Sequence, residues 1–196
     1  MAHINTVDDP TTMPELAPVF ERMEAVMGFV PNSILTMARV PGLSGAFSGL
    51  AGPILRNDLV EPGLVQMIAM AASTAAGSRY CQAHTIRAAE RYGAEAEQLA
   101  HVWDYATHPA FSEAERAALD FARAASVVPN GVDAPVQAAL RRHWDEGEIV
   151  ELLGVIALFG YLNRWNDSMA TTLEDPAETS GETWLGNHGW VRGKHQ

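Results

Sequence analysis

The chain has one cysteine, and the residue types around it are those that would make a thiol reactive. Cys81 lies in residues 77–84 (GSRYCQAH), between an apolar run and an amphipathic one. Gly77 is predicted to end the first helix, because glycine tolerates the left-handed conformation found there. Ser78 is predicted to cap the next helix through its hydroxyl. Cys81 then falls in the first helical turn, where free backbone N–H groups and the helix dipole favour a thiolate.

Two basic side chains accompany this cysteine. Arg79 adds positive charge nearby, and His84 follows Cys81 by three residues, so it lies on the same helical face. A thiol, a positive helix end and an imidazole are the parts of a cysteine nucleophile. A structural interpretation stands beside this one, because a free cysteine often only fills space in a core. His84 would then be a surface imidazole without a chemical role.

Composition and charge limit the classes of partner. The 196 residues include 47% hydrophobic ones, which is enough for a sizeable core, and the net charge is −11. Nucleic acids and anionic membrane surfaces both require a basic surface, so the charge argues against either partner. We therefore expect a small-molecule substrate or protein partners, with no nucleic acid and no membrane.

The sequence also suggests a compartment. Residues 1–14 are polar and acidic, unlike a secretory signal, and the apolar run at 152–162 has 11 residues, short of the ~20 that span a bilayer. One cysteine forms no intrachain disulfide, so nothing indicates an oxidising compartment. We expect a cytoplasmic protein.

Helical periodicity extends along nearly the whole chain, without a convincing strand signal. A long apolar helix is predicted from Pro62 to Gly77, followed by the cysteine helix. A capping box at residues 112–115 opens another helix, and a final long helix should run from about residue 145 to Leu173. The fold class predicted is all-α.

One domain is predicted for residues 1–196. It comprises N-terminal helices at 14–56, interrupted at Gly52-Pro53, a core at about 57–175 beginning with a turn at 57–61, and a tail at 176–196. The tail is polar, yet it carries Trp184 and Trp190. Two tryptophans indicate that it packs on something, and a neighbouring subunit is one candidate.

Cofactor and metal motifs are missing from the sequence. The histidines other than His84 are scattered, without metal-ligand spacing. Haem attachment would need Cys-x-x-Cys-His, and no glycine-rich phosphate loop is present. Asn163, Arg164 and Asp167 form a polar group on the last long helix, which favours a buried polar network or a subunit salt bridge. We expect neither metal nor cofactor.

Several segments resemble the alkylhydroperoxidase D-like (AhpD-like) and carboxymuconolactone decarboxylase superfamily, especially its peroxidase-related branch. They are 64–70 (LVQMIAM), 80–85 (YCQAHT), 88–93 (AAERYG), 113–122 (EAERAALDFA), 162–167 (LNRWND) and the closing Gly189-Trp190. The resemblance covers most of the chain from about residue 15. It implies an AhpD-like all-helical fold that assembles as homo-oligomers, trimers or hexamers, with active sites near subunit interfaces.

Peroxidase members of this superfamily use a glutamate, a Cys-x-x-Cys pair and a histidine four residues after the second cysteine. Cys81 corresponds to the cysteine that attacks peroxide. Ser78 occupies the position of the resolving cysteine, and Gln66 that of the glutamate. His84 lies one residue closer to Cys81 than the motif has it, and Thr85 stands in the expected place. The disulfide-forming cycle therefore lacks its second thiol here.

The sequence leaves three alternative functions open. The first is a thiol-dependent, peroxidase-like oxidoreductase (peroxiredoxin-type activity) in which Cys81 forms a sulfenic acid that an external thiol reduces. His84 would act as a base, with Gln66, Ser78 and Tyr80 as pocket or proton-relay positions. The second is a lyase like the carboxymuconolactone decarboxylases, acting on a small organic acid. The third is a non-catalytic helical oligomer.

Overall fold

The computed structural model of the chain describes residues 2–7, 13–56 and 59–196. Within these ranges the regular structure is entirely helical, as predicted. The α-helices are α1 (Ala17–Met27), α2 (Asn32–Met37), α3 (Leu43–Leu55), α4 (Pro62–Ala76), α5 (Arg79–Arg91), α6 (Ala96–Ala100), α7 (Glu113–Ser126), α8 (Ala134–Leu140), α9 (Glu146–Met169) and α10 (Asp175–Leu185). None of the described helices is long and apolar enough to cross a membrane.

Helix α4 is the centre of the core and packs mainly on α5, α7 and α9. Its residues 63–73 are all buried, as its apolar sequence on every face predicts. The Glu61 side chain caps it by accepting from the backbone N–H groups of Gly63 and Leu64. Gly77 ends it with a φ of 76°, which glycine adopts without strain.

The start of α5 is as predicted. The Ser78 hydroxyl accepts a hydrogen bond from the Cys81 backbone N–H at 3.5 Å, so Ser78 is the N-cap. Cys81 therefore occupies the first turn of α5, directly after the turn that joins α5 to α4. The local sequence around Gly77 and Ser78 is sufficient to place the cysteine there.

Helix α9 ends earlier than predicted. The capping box predicted at residues 112–115 is present at the start of α7, and the structure shows a second one, formed by Asp145 and Glu148, at the start of α9. The last helix stops at Met169 rather than near Leu173, because Ala170 takes a left-handed conformation with a φ of 46°. The chain then turns so that the Leu173 N–H bonds to the His195 carbonyl. This early stop brings Glu174 to the core.

The N-terminal helices α1, α2 and α3 lie over α5 and α9. The predicted interruption at Gly52-Pro53 is wrong, because α3 continues through Pro53 to Leu55. Proline removes one helical hydrogen bond, and the carbonyl that loses its partner belongs to exposed Gly49, where water can bind it. The predicted turn at 57–61 and the core boundary at residue 57 begin at residues outside the described ones.

The segment 176–196 is not an extended tail. Its first part forms most of α10, which is fastened to the core together with the residues that follow. Trp190 is 4% exposed, and its indole N–H donates to the Arg79 carbonyl at 3.1 Å. A Cβ atom at Gly181 would lie 2.8 Å from the Trp190 ring, so only glycine allows this contact. Trp190 is therefore buried by its own chain and not by a neighbouring subunit.

Candidate functional site

A cavity of about 140 Å³ separates the N-terminal helices α1–α3 from α4, α5 and α9. Its surface is almost wholly apolar, with Cys81 in the wall. The residues that line it are Arg22, Met23, Val26, Met27, Pro31, Ser33, Ile34, Phe47, Ser48, Ala51, Gly52, Leu55, Arg56, Gln66, Tyr80, Cys81, His84, Thr85, Ala88, Tyr92, Phe159, Leu162 and Asn166. A cavity of this size in an apolar core holds one benzene-sized molecule.

Four of the five predicted site residues line this cavity. Tyr80, Cys81 and His84 reach it from α5, and Gln66 reaches it from α4. Ser78 is buried but does not line the cavity; it contacts Cys81 as the N-cap. The fold therefore brings the predicted residues together, and it leaves Ser78 with a supporting role.

Asn166 on α9 contacts the cysteine directly. Its Nδ2 atom donates to the Cys81 Sγ at 3.4 Å, although the two residues are 85 positions apart. Asn166 is 1% exposed and also lines the cavity. Such a donor stabilises a thiolate more than a thiol, because the hydrogen bond strengthens with the negative charge. The sequence analysis identified the helix but not this residue.

Burial raises the pKa of the Cys81 thiol to about 11. Hydrogen bonds from Ser78 and Asn166 lower the pKa, but the removal of water outweighs them, and the charges of Asp167 and Glu174 raise it further. The prediction of a thiolate favoured by the helix end and by Arg79 is therefore wrong. Burial is the largest cause of the shift, and Cys81 is only 2% exposed.

A buried carboxylate joins two of the cavity residues. The Glu174 carboxylate contacts the His84 Nε2 at 2.7 Å and accepts a hydrogen bond from the Tyr80 hydroxyl at 2.9 Å. The Asn32 backbone N–H donates to the same carboxylate. The Tyr80 and His84 rings stack with centroids 4.2 Å apart. A connected carboxylate, imidazole and phenol thus form one wall of the cavity.

The protonation of this network follows from its environment. Burial raises the pKa of Glu174, but the positive charge of His84 and hydrogen bonds from His84 and Asn32 bring it below the ordinary value. Burial and the neighbouring Glu174 charge raise the pKa of Tyr80 well above that of a free phenol. At neutral pH Glu174 is therefore ionised and Tyr80 carries its proton.

The sequence analysis did not identify Glu174. It expected a carboxylate at Gln66, on the basis of the resemblance, and found an amide there. In the fold a carboxylate reaches His84 from a position 90 residues away, in the turn after α9. A single glutamate between two helices carries no local signal of this role, so only the tertiary structure reveals it.

The polar residues at the end of α9 have separate environments. The Arg164 guanidinium donates to the Gly160 carbonyl of its own helix. Asp167 contacts Lys194 at 3.1 Å and His195 at 3.4 Å, which joins α9 to the C-terminal segment. Asn163 is buried beside a second, larger groove. Asp167 thus takes part in a polar network, one of the alternatives considered above, and none of the three lines the cysteine cavity.

One cluster of potential metal ligands occurs among the described residues. Glu97, His101 and His108 place ligand atoms within 4.8 Å of one another, although the two histidines are not close in sequence. The imidazole rings stack with centroids 3.7 Å apart and planes inclined by 8°. Ligand lone pairs lie in the ring planes, so those of two parallel rings do not point at one ion. The arrangement as observed is not a closed metal site.

This all-helical fold is that of AhpD-like proteins. The chain belongs to the AhpD-like and carboxymuconolactone decarboxylase superfamily, and a model of the carboxymuconolactone decarboxylase family matches part of it. The family model matches residues 41–124. A curated relative, the uncharacterized protein YnjA of Escherichia coli strain K12, is 39% identical over 85 residues, which are 43% of this chain and 46% of that protein. The match thus spans under half of that relative's length.

Solved structures extend the similarity over most of the chain. The debrominase Bmp8, solved as a cysteine-to-alanine variant with 2,3,4-tribromopyrrole, is 36% identical over 93% of this chain and 98% of its own, with a TM-score of 0.88. Its apo form gives a TM-score of 0.86. A peroxidase-related protein from Ralstonia eutropha JMP134 is 23% identical over 90% of this chain and 94% of its own, with a TM-score of 0.78, and shares the fold.

Proposed function

We propose that the protein is a thiol-dependent oxidoreductase that reductively removes halogen from a small halogenated aromatic ring, with Cys81 as its redox centre. The observation that carries the proposal is the place of Cys81, in the wall of an apolar cavity and beside the Tyr80–Glu174–His84 network. The 36% identity to a debrominase over nearly the whole of both chains supports the halogenated substrate.

The cavity suits such a ring in size and polarity. A volume of about 140 Å³ is close to that of an engineered apolar cavity that binds benzene. Carbon–halogen groups are apolar and need no hydrogen bonds, so an apolar wall binds them with little loss of hydration. A brominated five-membered ring is a substrate of this kind.

The chemistry balances with one cysteine and an external thiol. The Cys81 thiolate takes the bromine from carbon, which forms an S–Br bond and leaves the electron pair of the C–Br bond on the ring carbon. A proton then converts this carbanion to C–H. The first external thiolate displaces bromide and forms a mixed disulfide, and the second releases Cys81. The sum is Ar–Br + 2 RSH → Ar–H + RSSR + HBr.

The network beside Cys81 supplies the proton in this scheme. Tyr80 holds its proton at neutral pH because burial and the charge of Glu174 raise its pKa. His84 is held by the ionised Glu174 and lines the same cavity, so it can replace the proton that Tyr80 gives away. Asn166 stabilises the thiolate when the Cys81 proton is withdrawn.

Peroxide reduction is the second candidate, because the superfamily contains peroxidase-related proteins. Peroxide attack also requires the thiolate, and a thiol with a pKa of about 11 holds roughly one part in ten thousand of it at pH 7. Peroxide is small and polar, whereas the cavity is apolar. An apolar substrate that binds tightly in the cavity is held beside Cys81, which offsets the small thiolate fraction. A peroxide lacks this advantage.

The proposed cycle also bears on the location of the enzyme, its reductant and its assembly. The cycle consumes two external thiols, which a reducing cytoplasm supplies. We therefore propose a cytoplasmic location, a small-molecule thiol or a reduced thiol protein as partner, and a homo-oligomeric assembly.

Product analysis tests this function. Purified protein is incubated with a tetrabromopyrrole and excess dithiothreitol, and bromide and debrominated pyrrole are measured by ion chromatography and mass spectrometry. We expect equal amounts of both products, and neither with the Cys81→Ser variant. Consumption of hydrogen peroxide without bromide release would support the peroxidase instead. Absence of both activities would contradict both redox functions and leave the lyase and the non-catalytic role.

A further inference from the structure

Asn166 has an amide oxygen without a hydrogen-bond partner in the described part of the chain. Its Oδ1 is buried, and the whole residue is 1% exposed. Because Asn166 lines the cysteine cavity, this oxygen belongs to a side chain at the ligand site. A buried acceptor left unpaired is unfavourable, and native structures contain few of them. An unpaired acceptor on a side chain that lines a ligand cavity points to a donor on the ligand.

The chemistry of the thiolate decides which amide atom faces the ligand. A thiolate accepts hydrogen bonds and donates none, so the amide nitrogen of Asn166 must face the Cys81 Sγ, as it does at 3.4 Å. The oxygen is then left as an acceptor beside the sulfur. The same side chain that stabilises the reactive form of Cys81 therefore offers an acceptor close to the reacting bond.

We propose that Asn166 selects substrates that carry an N–H or O–H donor next to the carbon–halogen bond that Cys81 attacks. This inference rests on the proposed function and names its substrate class: halogenated N–H heteroaromatics such as pyrroles, in preference to rings of the same size without a donor. Asn166 acts as a specificity-determining residue, because its oxygen fixes the orientation of the ring and places the adjacent carbon–halogen bond at Sγ.

The surroundings of Asn166 make this preference strong. The cavity surface as a whole is almost wholly apolar, so water is a poor substitute for the ligand donor. A ring that offers an oxygen at the same place would leave Asn166 Oδ1 unpaired and facing another acceptor. Sites built to bond a donor reject analogues that lack it much more strongly than apolar pockets reject a small change in size.

Binding measurements test this assignment without requiring turnover. The Cys81→Ala variant, which adds no donor at position 81, is titrated calorimetrically with 2,3,4-tribromopyrrole and with 2,3,4-tribromofuran, which has ring oxygen in place of N–H. We expect the pyrrole to bind at least tenfold more tightly. Adding Asn166→Leu should reduce the ratio to within twofold, whereas Asn166→Asp, which keeps an acceptor, should preserve the preference.

Asn163→Leu is the matched control, since Asn163 is a buried asparagine on the same helix that lines the other groove. It should leave the tenfold ratio unchanged. Equal affinities for the two rings in the Cys81→Ala variant would overturn the assignment, and this comparison needs no substitution at Asn166. A preference that survives Asn166→Leu in a folded variant would also overturn it. If the pyrrole binds more tightly than the furan but the wild-type protein releases no bromide, the proposed function is contradicted while the assignment of Asn166 stands.

Discussion

His84 and Glu174 lie 90 residues apart in the sequence and 2.7 Å apart in the fold, where the imidazole Nε2 meets a carboxylate oxygen. The contact joins α5, which carries the cysteine, to the turn between α9 and α10. Both side chains are only 11% exposed. The pair, with Tyr80 hydrogen-bonded to the same carboxylate, provides the ionised and protonated groups that the proposed reaction uses.

The Glu174 carboxylate should stabilise the fold in a pH-dependent way. Its pKa is below the ordinary value in the folded protein, so its contribution is present above the pKa of an unfolded glutamate, ~4.3, and is lost as the pH falls through the folded pKa. Glu174→Gln should lower the free energy of unfolding by about 1–3 kcal/mol at pH 7. The difference from wild type should shrink below about pH 4.

Urea unfolding at pH 7 and at about pH 3 measures this difference. Glu182→Gln is the control, because Glu182 is an exposed residue of the neighbouring helix α10, and surface changes of this kind stay within about 0.5 kcal/mol. A constant deficit for Glu174→Gln at both pH values would show that the carboxylate charge is not responsible.

The Cys81 thiol should ionise only at high pH. Because burial raises its pKa to about 11, the rate of alkylation by iodoacetamide should increase about tenfold per pH unit between pH 7 and 9. Asn166→Leu removes a hydrogen bond that lowers this pKa, and should slow alkylation at every pH in that range. A plateau with a midpoint at or below 8.5 would contradict the account of a desolvated thiol.

Tyr80 should affect the chemical step more than binding. The phenol holds its proton because burial and Glu174 raise its pKa, and a positioned proton donor contributes roughly 10²–10⁴-fold to a rate. Tyr80→Phe should therefore lower kcat for debromination by at least tenfold and change KM little. Tyr161→Phe, at an exposed position on α9, should behave as wild type. Unchanged kcat in Tyr80→Phe would assign the proton to another donor.

An exposed apolar stripe on α9 predicts assembly. Val150, Leu153 and Tyr161 lie along its outer face and are 69%, 48% and 39% exposed. Exposed apolar patches on a folded protein mark interfaces, and the family resemblance favours a trimer or hexamer. Leu153→Glu should weaken self-association at least tenfold in sedimentation experiments. Val191→Glu, in the C-terminal segment, changes another exposed apolar residue (61%) and should not. A wild-type monomer at micromolar concentration would exclude this interface.

The sequence predicted what local chemistry determines. Gly77 and Ser78 place the boundary between α4 and α5, and the capping box at 112–115 begins α7, because these signals act within one helical turn. The α3 helix was misjudged, since an exposed proline at its end is tolerated. Glu174 and Asn166 escaped prediction because their roles depend on contacts 85 to 90 residues away. The Cys81 pKa was misjudged for the same reason, since burial is a property of the tertiary structure.

A single-turnover experiment tests most directly whether Cys81 is the redox centre. Reduced protein, freed of external thiol, is mixed with excess tetrabromopyrrole, and the debrominated pyrrole is measured by mass spectrometry against the amount of protein. With one cysteine per chain, the account predicts one equivalent of product, no further product until thiol is added, and none from Cys81→Ser. Product from Cys81→Ser, or continued turnover without thiol, would contradict it.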